Sequence, residues 1–70
     1  MTSGISIHGA TRLYPIIGDP IAQVRSPEVF SARFAAAGIG AICIPMHVPS
    51  GRFDAIVPQL MALGNVDGLI

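Results

Sequence analysis

The sequence predicts an α/β fold, the opening part of a parallel β-α-β-α-β sheet. Short apolar runs at residues 11–17, 41–48 and 66–70 alternate with two amphipathic stretches, and the connections between them are short. Apolar runs without clean polar alternation are the mark of strands covered on both faces. Strands separated by single helices join through right-handed crossovers, which makes them parallel neighbours.

The elements follow from local chemistry in chain order. Residues 1–10 hold Thr2, Ser3, Gly4, Ser6, His8 and Gly9 with little periodicity, and read as a flexible tail in which His8 is solvated. The first strand, residues 11–17, contains Pro15, which cannot donate to a sheet ladder and so marks an edge or an irregular end. Gly18 stops it. The first helix opens at Ser26 as N-cap, with Pro27 at the first helical position and Glu28 complementing the helix dipole. Phe30 and Phe34 lie four apart as core anchors, with Val29 and Ala37 widening their face and Ser31 and Arg33 pointing elsewhere. Gly38 and Gly40 end this helix.

Residues 41–48, AICIPMHV, form the second strand, with Cys43 read as a small buried hydrophobe and His47 as a structural or solvated residue. Phe53, Ile56, Val57, Leu60 and Leu63 fall at helical spacing across residues 52–63. Pro58 interrupts that pattern, so the helix either bends there or starts near Asp54. A third strand begins at residue 66 and is still running at residue 70, as in a chain cut in mid-strand.

Composition limits the function classes. Hydrophobic residues make up 51% of the 70 and charged residues only 11%, so some apolar surface is expected to be covered by protein beyond this stretch. Four arginines balance four acidic residues, and no basic run offers a footprint for nucleic acid or an anionic membrane. Cys43 is the single cysteine, which excludes an internal disulfide and any zinc spacing. A cytoplasmic setting is the expectation, since no secretory signal or membrane span is apparent.

The chemistry concentrates in residues 14–27, YPIIGDPIAQVRSP, where a strand runs through a loop into a helix start. Such a corner presents free N–H groups and the Ser26 hydroxyl at the carboxyl edge of a sheet, where open α/β sheets bind small ligands. A phosphate loop fits poorly, because residues 18–26 contain one glycine and no lysine.

This stretch resembles the opening of the shikimate dehydrogenase family, whose pattern is roughly Gly-x-Pro-Ile-x-His-Ser-x-Ser-Pro. Gly18, Pro20, Ile21, Ser26 and Pro27 fall in register with it, and the similarity runs from residue 12 to residue 70. The resemblance implies the start of an aminoacid-dehydrogenase-like N-terminal substrate-binding domain over residues 11–70. The remainder of that domain and a Rossmann domain for NADP or NAD lie outside this chain. It also implies hydride transfer between the nicotinamide and a cyclic polyol carboxylic acid such as shikimate. A small-molecule acid is then the expected partner, and a homodimer is left open.

Carried over position by position, the resemblance puts Ser26 at the second carboxylate-binding serine. Val24 stands at the first serine and Gln23 at the usual histidine. Arg25, between the two serine positions, is a candidate fork for the carboxylate, against the plainer reading of an exposed loop arginine. Losing one hydroxyl donor costs on the order of 1–3 kcal/mol where the acid is left underpaired, so an altered acid preference is expected. The next family motif, Gly-x-Asn-Val-Thr-x-Pro-x-Lys, is met here only at Gly68, with Ile70 at the asparagine. No residue of this chain therefore carries the acid–base role. The competing reading is a non-catalytic α/β module that binds a small anion or a protein partner.

Overall fold

A computed structural model describes residues 6–70 of the chain. Strand β1 (Arg12–Gly18) leads to helix α1 (Ser26–Ala36), strand β2 (Ala41–His47), a 3-10 turn (Ser50–Arg52) and helix α2 (Phe53–Met61). The two strands pair in parallel, from Arg12 opposite Ala41 to Gly18 opposite His47. The α/β class and the parallel crossover expected from the sequence are both present. Residues 1–5, half of the expected tail, lie outside the described residues. At its other end, His8 and Thr11 close a turn, with the His8 N–H on Thr11 Oγ1 at 2.9 Å and the Thr11 N–H on the His8 carbonyl at 3.0 Å.

The third strand is reduced to one parallel bridge, Leu13 opposite Val66. Pro15 gives the physical reason. On this side of β1 the Leu13 N–H reaches the Asn65 carbonyl at 2.7 Å, and the Asp67 N–H returns to the Leu13 carbonyl at 3.0 Å. The next rung of a parallel ladder needs an N–H at residue 15, and proline has none. The ladder then resumes one residue out of step, with the Ile70 N–H on the Pro15 carbonyl at 2.8 Å. Pro15 is thus neither at an edge nor at a strand end: it sits inside β1 and is fully buried. Pro45 in β2 costs no ladder bond, because its missing N–H faces the outer edge of the sheet, away from β1.

Packing between α1 and β2 departs from the sequence reading at Ser31, Phe30 and Val29, and Ala37, at the C-terminal cap of α1, is exposed rather than part of the apolar face. Ser31, expected to point away, is the buried residue of α1. Its hydroxyl accepts the Cys43 N–H at 2.9 Å and lies 3.3 Å from the Cys43 carbonyl. It thereby satisfies the outer edge of β2, where an unpaired backbone would otherwise be stranded. Phe34 packs on Tyr14 with ring centroids 5.2 Å apart, as a core anchor should. Phe30 leans on Phe34 at 6.5 Å but remains exposed, and Val29 beside it is exposed as well. The buried hydrophobic residues are Ala41, Cys43, Val48 and Val66. Burial pushes the Cys43 thiol up, consistent with an inert packing role.

Helix α1 ends as expected, with Gly38 in the left-handed region at φ 72°. Helix α2 begins at Phe53 and keeps Pro58 in its interior. Leu63 falls beyond its end and is half-exposed, so it does not extend the apolar face. Among the described residues, no helix is long and apolar enough to cross a membrane.

Candidate functional site

The parallel register brings the ends of both strands, Gly18 and His47, side by side at the carboxyl edge of the sheet. The chain leaves β1 there through a tight loop. A Cβ on Gly18 would meet the Pro20 carbonyl oxygen at 3.2 Å and Ile21 Cδ1 at 3.3 Å, so a larger residue would have to push this loop back by a few tenths of an ångström. The Asp19–Pro20 peptide is cis. Beyond it the Val24 N–H bonds the Ile21 carbonyl at 3.1 Å, and Gln23 Nε2 donates to the Pro20 carbonyl at 3.2 Å. The loop therefore delivers the chain to α1 as a series of small turns.

Arg25, not Ser26, holds the N-cap position of α1. Its carbonyl accepts the first helical bond, from the Val29 N–H at 3.2 Å. Ser26 is consequently the first helical residue and Pro27 the second. Pro27 is accommodated at the second helical position because an N–H there would have no helical carbonyl to reach, and the Arg25–Glu28 ion pair spans this first turn. No side chain caps this helix start. The Ser26 hydroxyl is half-buried there, beside the Ser26 and Glu28 N–H groups that no helical carbonyl can reach.

The structure does not gather the three sequence-predicted residues into one cavity. Val24 lines an open depression of about 400 Å³ with Ile21, Ala22, Pro27, Glu28, Pro45 and His47, whereas Ser26 and Arg25 do not line it. Arg25 is exposed and its Nε is taken by Glu28 Oε1, so the guanidinium is partly engaged before any ligand arrives. The depression is chiefly apolar, and Val24 fits it as a wall.

Sequence reasoning missed Asp19. Its Oδ1 lies 2.9 Å from His47 Nε2, and its Oδ2 accepts the Ser50 N–H at 3.0 Å. The hydrogen bond from His47, reinforced by the Ser50 N–H, holds the Asp19 carboxyl below the usual carboxylate range. His47 accordingly has a structural partner rather than being merely solvated. The signal in the sequence is indirect: parallel pairing of residues 12–18 with 41–47 puts residue 19 next to residue 47.

These features define an α/β domain with an uncapped helix start and a hydroxyl at the carboxyl edge of a parallel sheet, a corner suited to a small anion. Comparison with known proteins is specific. The family described as shikimate dehydrogenase substrate binding domain matches residues 16–70. The chain belongs to this family. It is 41% identical over 58 residues to a shikimate dehydrogenase (NADP(+)) from Anaeromyxobacter sp. (strain K), covering 83% of this chain and 21% of that protein. A shikimate dehydrogenase (NADP(+)) from Rubrobacter xylanophilus is 40% identical over 58 residues, covering 83% of this chain and 20% of that protein. One from Lysinibacillus sphaericus is 39% identical over 51 residues, covering 73% of this chain and 18% of that protein. The chain spans about a fifth of the length of the curated relatives it matches. No solved structure matches the chain significantly.

Proposed function

We propose that this chain is the opening of the substrate-binding domain of a shikimate dehydrogenase-like oxidoreductase. The complete protein would transfer hydride between NADP(H) and a cyclic polyol carboxylic acid. The observation that carries the reading is the bare start of α1 at Ser26, on a chain belonging to this family. A carboxylate there gains a hydroxyl donor, two backbone N–H groups and the positive end of the helix. Residues 11–70 would form part of that domain, with its remainder and the cofactor domain supplied by further chain.

The residues present do not fit a dinucleotide. Gly18, the last residue of β1, is the one glycine from there to Ser26, and the space a Cβ would occupy on it is crowded by its own loop rather than left open to a pyrophosphate. No acid–base group for the reacting oxygen is assigned in this chain. Its part is to bind and orient the acid. Val24, at the first serine position, supports an acid preference shifted away from shikimate, because an apolar wall cannot donate to an oxygen.

The test is to express the complete open reading frame and assay NADP+ reduction with shikimate, quinate and related cyclic hydroxy acids. Reduction with at least one such acid is the expected result. Absence of turnover with all of them, on folded protein that binds NADP+, would return the chain to a non-catalytic anion-binding module.

A further inference from the structure

Asp19 follows Gly18, and the register sets Gly18 opposite His47. From this position its two carboxylate oxygens reach different parts of the chain, one on His47 at the end of β2 and the other on the Ser50 N–H of the 3-10 turn. Two-point attachment fixes where residue 19 sits. The loop that starts there and ends at Ser26 is otherwise held by its own bonds, Val24 to Ile21 and Gln23 to Pro20, and by the Arg25–Glu28 pair. None of those ties reaches β2. Among the described hydrogen bonds, Asp19 is where the substrate loop is fastened to the neighbouring strand.

We infer that Asp19 is a positioning residue for the acid substrate, holding the loop that carries Val24 and Ser26 against the end of β2 through His47 and Ser50. The inference rests on the proposed function. A carboxylate-binding hydroxyl displaced by even part of an ångström loses its alignment with the ligand, while the contacts that would hold the cofactor, proposed to come from further chain, are not carried by this loop.

The experiment uses the full-length enzyme with Asp19→Ala, Asp19→Asn and His47→Leu. Asp19→Ala is expected to raise KM for the acid roughly tenfold and to leave KM for NADP+ within about twofold. Asp19→Asn keeps an acceptor for the Ser50 N–H and is expected to recover most of the loss. His47→Leu, which removes one of the two anchors, is expected to give a smaller rise in the acid KM. An unchanged acid KM in Asp19→Ala overturns the role, as does an equal rise in both KM values, which would mark general destabilisation. If Asp19→Ala does not fold, an unchanged acid KM in His47→Leu overturns it instead. A wild-type enzyme inactive on every cyclic acid overturns the functional reading itself, a result distinguishable from an active wild type indifferent to residue 19.

Discussion

Ser26 and Val24 are two residues apart, yet the structure gives them opposite surroundings. Ser26 stands at an uncapped helix start, and Val24 faces an apolar depression. Under the proposed function, the acid's carboxylate would depend on one hydroxyl where the family pattern offers two. In the full-length enzyme, Ser26→Ala removes that donor while leaving the first turn free to form, since alanine is a good helix former. Loss of one charge-assisted hydrogen bond corresponds to an increase of about tenfold or more in the acid KM. Steady-state kinetics with the preferred acid measure it, and wild-type kinetics would remove Ser26 from the site. Val24→Ser supplies the missing donor, exchanging two methyl groups for one hydroxyl. Its expected effect is a rise in kcat/KM for shikimate relative to the native acid. No change in that ratio would mean that the pocket discriminates elsewhere.

Between elements, the joint of α1 to β2 depends on Ser31, whose hydroxyl meets both backbone groups of Cys43. Ser31→Ala leaves those two groups without a partner in a buried place and is expected to cost about 1–3 kcal/mol. Denaturant unfolding of the full-length protein checks this, and an unchanged midpoint would mean that water replaces the hydroxyl at no cost. Ser31 also illustrates the limit of reading helices by periodicity. The bounds of α1 and α2 are legible in the sequence to within a few residues, because apolar spacing and the Gly38 stop are local signals. Periodicity alone puts the hydroxyl of Ser31 on the wet face and Phe30 in the core, and the structure reverses both. Which helical face meets the sheet is settled by the partner strand, and only the edge of β2 reveals a need for a hydroxyl at residue 31. Pro15 is the same kind of case: its effect depends on which neighbour its absent N–H would have faced. Asp19 was overlooked because its partners, His47 and Ser50, are brought near by the crossover and not by sequence proximity.

Across the described residues, the Arg12–Asp67 ion pair joins parts of the chain 55 residues apart, linking the start of β1 to the segment after α2. Arg12 Nε contacts both Asp67 oxygens, at 3.1 and 3.0 Å, and Nη2 also donates to the Gly64 carbonyl at 3.0 Å. This clamps the same segment whose backbone ladder Pro15 interrupts, so a side chain supports the third strand where the main chain cannot. The hydrogen bond from Arg12 holds the Asp67 carboxyl below its usual range. A carboxylate with a depressed folded-state pKa stabilises the protein above its unfolded value, about 3.9. That contribution fades as pH falls from there through the lower folded value, because protonation removes the charge Arg12 holds. Asp19, depressed by His47 and Ser50, acts in the same direction over the same acid window. Asp67→Asn is therefore expected to lower stability at neutral pH and to converge with wild type in strong acid. Because the pair is partly exposed, the difference is expected to shrink as salt is raised. Thermal unfolding of the full-length wild type and variant between pH 7 and pH 2 tests this. A gap that stays constant down to pH 2 would mean that the arginine recognises the side chain's shape and hydrogen-bonding capacity rather than its charge.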